Sequence, residues 1–265
     1  MKNSIFSPSY WRAACGELKS LKRLVFAALV CALAIVVGAF YVSVGENLRV
    51  YFTFFIVAVG CSVYGPVVGI IAAAVIDTLN YVLFPAGAYF PGYLLSEMAG
   101  ALIYSLFLYR RKITVLRLFG AKFCVNYLVN VLMGSLWSQM LYGKGYLYYM
   151  AKSLIKNTLL LPFEVILLAA LFSLLLPVFS RFGLLPAHEE KDLRKLSVSH
   201  SAFVVVGLDA FVGAAACLYY STTLESGPAL FRGIAAGLAV AGIAILIAGK
   251  ILNRKKKLPE DEKEA

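Results

Sequence analysis

Charge is scarce in this sequence. Asp, Glu, Lys and Arg make up 15% of its 265 residues, while 61% are hydrophobic. Soluble domains carry about 25% charged residues, so a water-exposed globule is excluded, and a mean hydropathy of +0.82 places most of the chain in lipid. Short alternating strands are lacking, which argues against a β-barrel. The five cysteines, Cys15, Cys31, Cys61, Cys124 and Cys217, form no C-x-x-C pair, so neither a disulfide framework nor a zinc site can be read from them. The two histidines, His188 and His200, have no cysteine neighbours, and no metal or cofactor is expected. Gly143-Lys144-Gly145 and Gly249-Lys250 lack the rest of a phosphate-binding loop, and there is no nucleophile elbow or H-E-x-x-H. ATP hydrolysis by this chain is therefore not expected, and it is not read as an enzyme. Ala13-Ala14-Cys15-Gly16 resembles the end of a lipoprotein signal, but the apolar stretch that should precede it is missing.

What is present is a series of apolar runs about 20 residues long, each enough for one bilayer crossing. They predict an all-α polytopic membrane protein with helices over 22–44, 50–63, 65–84, 91–109, 118–141, 153–177, 200–220 and 229–251. The organisation expected is a six-helix substrate-binding unit (1–177), a linker (178–199) that is either amphipathic or a plain connector, a two-helix appendage (200–252) and a charged tail (253–265). Eight crossings put both ends on one side. The segments on that side hold 5, 5, 4 and 6 basic residues, 20 of the 25 in the chain. The positive-inside rule then makes both termini cytoplasmic. The net charge of +11 is read as this membrane signal, with lipid rather than nucleic acid as the partner.

Polar residues inside spans are expensive in lipid and mark cavities or interhelical contacts. Asn126, Asn130, Met133 and Trp137 recur on one helical face. Lys152, Lys156, Leu160 and Glu164 do so on the next helix, with Asn157 beside them. Tyr93, Glu97, Gly100 and Tyr104 share a face of another, and Asp77 precedes Asn80 and Tyr81. One reading is a pocket for a flat, polar, partly anionic ligand: Asn amides pair with heterocycle edges, Trp and Tyr stack on rings, and Lys156 neutralises a carboxylate. The other is interhelical hydrogen bonding. Tyr89 and Phe90 stand in a Pro/Gly-punctuated loop, Phe84–Gly92, that suits a mobile cover. Asp209 is isolated in an apolar span. Small residues recur at Ala28/Ala32, Gly65/Gly69/Ala73 and Gly233/Gly237/Ala241, where helices can approach closely.

Two segments carry a resemblance. The first runs from Gly65-Pro66-Val67-Val68-Gly69 through Asp77 to Leu83-Phe84-Pro85-Ala86-Gly87-Ala88-Tyr89-Phe90-Pro91-Gly92 and Leu102-Ile103-Tyr104. The second runs from Leu128-Val129-Asn130 to Trp137, Leu141-Tyr142-Gly143-Lys144-Gly145, Leu154-Ile155-Lys156-Asn157 and Leu161-Pro162. Over roughly residues 20–177 the chain resembles the folate-type substrate-binding (S) component of energy-coupling-factor (ECF) vitamin transporters. The resemblance implies a vitamin-binding membrane protein with an outward pocket, working with a transmembrane coupling subunit and two ATPases. It implies binding roles for Asn130, Trp137, Lys156 and Asn157, a gate at 85–92, and a coupling contact at Ala28 and Ala32. The chain departs from the family pattern at Ala39 and Ser153, where arginines are usual, at Glu97, where a small residue is usual, and in its last two helices. A scaffold that recruits a membrane partner through those helices is the alternative, as is an S component for a different vitamin.

Overall fold

The computed structural model describes residues 7–45, 48–85, 89–143, 145–184, 200–223 and 228–257. It opens with a short helix that the hydropathy pattern did not announce, α1 (Pro8–Gly16). Ser7 caps it, its hydroxyl accepting the Ser9 N–H at 3.3 Å, and Pro8 occupies the first turn, where its missing N–H costs nothing. Glu17 follows, buried. It accepts from Arg23 Nε at 2.6 Å, from Arg110 at 3.5 Å and from the Tyr109 hydroxyl. This acid thus ties the start of the chain to two later turns.

The first span, α2 (Leu21–Gly38), is shorter than the expected 22–44. After it the chain forms an antiparallel hairpin, β1 (Tyr41–Gly45) and β2 (Leu48–Tyr51), with Tyr41 opposite Tyr51 and Val42 opposite Val50. The run Tyr-Val-Ser-Val is apolar enough to pass for a helix end, yet its aromatic and β-branched residues favour a strand. The expected helices 50–63 and 65–84 are both present within α3 (Thr53–Leu83), two helices joined at Gly65, which has φ 76° and ψ −172°. Thr53 and Asn80 both lie against Gly38, and Cys61 lies against Gly69, so the chain doubles back there. Pro66 follows the break, so the lost helical bond falls where proline could not have donated one. A Cβ at Gly65 would also lie 2.9 Å from the Tyr109 ring.

Next come α4 (Pro91–Leu108) and α5 (Val115–Cys124); Thr114 caps α5, accepting the Arg117 N–H at 3.2 Å. The helix continues through a π-helical stretch, Val125–Met133, into α6 (Gly134–Tyr142) and ends at Gly143, φ 72°. The expected helix 118–141 is thus longer and not regularly α-helical. The helix expected over 153–177 is α7 (Tyr146–Arg181), so the start of the expected linker at 178 is still helical. The rest of that linker from 185 to 199, with His188, lies outside the described residues, as do the tail beyond 257, Lys144 and the loop centre Ala86–Ala88. The last two helices are α8 (His200–Thr223) and α9 (Pro228–Lys257).

Among the described residues six helices are long and apolar enough to span a membrane: Leu21–Gly38, Thr53–Leu83, Pro91–Leu108, Val115–Tyr142, Tyr146–Arg181 and Arg232–Leu252. Ala202–Ala215 is a shorter apolar helix. The two helices expected on either side of Gly65 both lie within Thr53–Leu83. The protein is an all-α multi-pass membrane protein with one small hairpin. α3 packs against α2 and α4 around Tyr64, Val63, Leu108, Leu118, Leu168, Phe172 and Leu176, all buried. α8 packs on α7 and α9. Its close contact with α9 falls at Gly207 and Gly242, where an added Cβ on Gly242 would meet the Gly207 carbonyl at 3.1 Å; the spaced pair Gly233 and Gly237 faces open space instead.

Candidate functional site

The amides expected on one face do come together. Asn126 is fully buried and donates from Nδ2 to Glu164 Oε2 at 2.8 Å and to the Asn157 carbonyl at 3.3 Å. Asn130, one turn further on, donates to Asn126 Oδ1 at 3.3 Å and to Asn157 Oδ1 at 3.1 Å. Asn157 in turn donates to the Ser153 carbonyl at 2.8 Å and to Ser153 Oγ at 3.1 Å. Asn126 and Asn130 lie within the π-helical stretch, a widened helix that occurs frequently at functional sites. Of the three, Asn126 and Asn157 are buried with their amides satisfied by protein, whereas Asn130 keeps open surface.

The network ends in a buried ion pair. Lys122 Nζ lies 3.1 Å from Glu164 Oε1 and 3.9 Å from the centre of the Phe54 ring. The sequence placed Lys122 among the solvated basic residues of one membrane face; the structure buries it at 2% exposure. It sits two turns into a helix that starts at Val115, so its ammonium reaches Glu164 on α7. A salt bridge to a residue 42 positions away leaves no periodic trace in the sequence. Lys156 lies on the same α7 face, half-buried, within electrostatic reach of both Glu164 and Lys122.

A second group is aromatic. Phe90 lies 5.7 Å from Trp137 and 5.9 Å from Tyr93, centre to centre. Trp137 Nε1 donates to Ser96 Oγ at 2.9 Å, which sets the indole plane. Gly92 fits beneath both rings: an added Cβ would come within 2.3 Å of Phe90 and 2.6 Å of Trp137. Tyr89 joins a different partner, Tyr81, at 5.0 Å. Asp77 on α3 and Glu97 on α4 are near enough to feel each other's charge, and Glu97 also feels Lys122. Among the described residues no three His, Cys, Asp or Glu side chains gather as a metal site.

Away from these groups, Ala28 and Ala32 face outward from α2. With Cys31, Val68, Ile71 and Val75 they line an apolar groove of about 420 Å³ between α2 and α3. A groove floored by small side chains leaves room for another helix to approach. Sequence reasoning took Lys122 for a surface charge and Ser153 only for a departure from the family pattern, and passed over Ser96. These serines contact Asn157 and Trp137, and serine in a span is too common to assign a contact from pattern alone.

The N-terminal part of the chain resembles known proteins. Residues 22–187 match the model of the family described as ECF transporter, substrate-specific component. The chain is 33% identical to the folate transporter FolT of Clostridium novyi over 151 residues, 57% of this chain and 88% of that protein. It is 29% identical to FolT of Leuconostoc mesenteroides over 151 residues, 54% of this chain and 80% of that one. A crystal structure of FolT bound with folic acid superposes with a TM-score of 0.51 at 28% identity, covering 55% of this chain and 88% of the other. The matched region takes in both residue groups described above and stops before α8, and its extent over a single family model shows that this chain belongs to the substrate-specific components of ECF transporters.

Proposed function

We propose that this protein captures folate, or a related pterin compound, from outside the cell for import driven by ATPases on separate chains. The observation that carries this is the likeness to folate transporters over nearly their whole length, joined to a helix-facing site that offers what such a ligand needs. A pteridine ring is flat and hydrogen-bonding on its edge. The rings of Phe90, Tyr93 and Trp137 supply a stacking surface, and the Asn130 amide stands at the open end of the amide network. The carboxylates of the tail require a cation, and Lys156 supplies one. Asn126 and Asn157 hold this surface in place, and Tyr89 and Phe90 border the loop that would cover it.

We infer that the coupling partners are a transmembrane subunit and two ATPase subunits, with Ala28 and Ala32 as the contact, and that both termini are cytoplasmic by the positive-inside rule. The purified chain in detergent should bind folic acid at one site, read by calorimetry and by quenching of Trp137 fluorescence. Native mass spectrometry of the same sample should show a co-purified pterin-containing vitamin. Absence of folate binding together with a different co-purified small molecule would reject the assignment of ligand.

A further inference from the structure

The α4 face made by Glu97, Gly100 and Tyr104 borders an opening inside the bundle. Gly100 is buried, yet a methyl group built on it would meet no described atom within 4 Å. Glu97, one turn before it, keeps open surface and lies within electrostatic reach of Asp77 and Lys122. Glu97 and Gly100 share one helical face, so the carboxyl group borders the open space beside Gly100. Tyr104, one turn after it, is 2% exposed, and its hydroxyl has no hydrogen-bond partner. That hydroxyl lies within electrostatic reach of Glu97 and Glu164. Among the described residues neither Glu97 nor Asp77 has a hydrogen-bond or ion-pair partner, whereas Glu164 has two. A carboxylate and a phenol left unmet beside a void in a membrane interior carry a heavy desolvation cost. That cost is removed when a ligand brings matching donors.

We infer that Glu97 reads the donor edge of the ligand's heterocycle, and that Tyr104 hydrogen-bonds the same ring from the far side of Gly100. This rests on the folate reading and deepens it. In a 2-amino-4-oxopteridine the ring N3–H and one N–H of the 2-amino group point the same way, a spacing that two carboxylate oxygens accept together. A 2,4-dioxopteridine presents a carbonyl in place of the amino group, and its oxygen would face the carboxylate and be repelled. The charges nearby agree: Asp77, Glu97 and Glu164 outnumber Lys122 and Lys156, so the interior suits a ligand that donates at its head and carries its negative charge elsewhere.

The test compares pterin with lumazine, its 2,4-dioxo counterpart, by calorimetry on the full-length protein and on Glu97→Gln. The unaltered protein should prefer pterin by about tenfold or more, the worth of hydrogen bonds to a charged acceptor. Glu97→Gln should bring the two affinities to within about threefold of each other. It should not lower the melting temperature of the ligand-free protein, because no protein hydrogen bond is removed. Glu97→Ser gives the same readout should the glutamine variant not be recovered. A preference left intact in these variants, or abolished by Asp77→Asn and not by them, overturns the role of Glu97 while leaving the folate reading in place. Failure of the unaltered protein to bind pterin, lumazine or folate overturns both.

Discussion

At the scale of single residues, two lysines one helix apart are expected to behave in opposite ways. Lys122 is buried against Glu164 and over the Phe54 ring, so its charge is committed to structure. Lys122→Met leaves Glu164 and its Asn126 contact uncompensated. Breaking a buried pair from one side costs about 3–5 kcal/mol, and a large drop in melting temperature is expected. The double variant Lys122→Met, Glu164→Leu should recover much of that loss, since it removes both charges together. Lys156 is only half-buried and stands beside the open Asn130 amide. Lys156→Ala should weaken binding of a carboxylate-bearing ligand by about 1.5–3 kcal/mol with little change in melting temperature. Calorimetry and thermal unfolding on the same samples separate the two cases, and an unchanged dissociation constant for Lys156→Ala would remove it from the site.

At the scale of elements, α2 and α3 carry the sharpest constraints. Gly65 holds a backbone conformation that L side chains rarely adopt, and its missing Cβ makes room for Tyr109. Strain of this kind costs about 1–3 kcal/mol per residue, before the overlap with the ring is counted. Gly65→Ala should therefore lower the yield and melting temperature of the purified protein, and a melting temperature equal to that of the unaltered protein would refute the strain argument. The Ala28/Ala32 groove makes the contrary prediction. Both methyls face outward beside an open groove, so Ala28→Trp or Ala32→Trp should leave folding and ligand binding intact while blocking approach of a coupling helix. Uptake should be abolished. Loss of ligand binding and stability together would instead show that the strip packs internally.

At the scale of the whole molecule, the family match ends before α8, while α8 still covers the α7 surface around Leu161, Val165 and Leu159. The groups proposed to meet the ligand lie on α4, the π-helical stretch, α6 and α7, none of them on α8 or α9. Truncation after residue 187 should leave the folate dissociation constant within about threefold and should lower the melting temperature, because apolar side chains shaped to pack on α8 would face lipid loosely instead. A truncated chain that binds no folate would make the last helix pair part of the binding unit.

The sequence by itself determined the solvent. Hydropathy and the length of its apolar runs settle that the chain crosses a bilayer many times as helices, because only structures that satisfy their own backbone survive there. It also singled out Asn126, Asn130, Asn157, Phe90, Tyr93 and Trp137, since polar and aromatic residues at helical spacing stand out against lipid. Tertiary structure decided the rest. Helix end and strand look alike over Tyr41–Tyr51, because hydropathy records burial rather than backbone angle. Lys122 reads as a surface charge until Glu164 arrives beside it from a distant helix. Whether Glu97 pairs with protein or faces a cavity depends on what the neighbouring helices place opposite it. Periodicity along one helix carries no information about that, and only the packed bundle leaves the space beside Gly100 open.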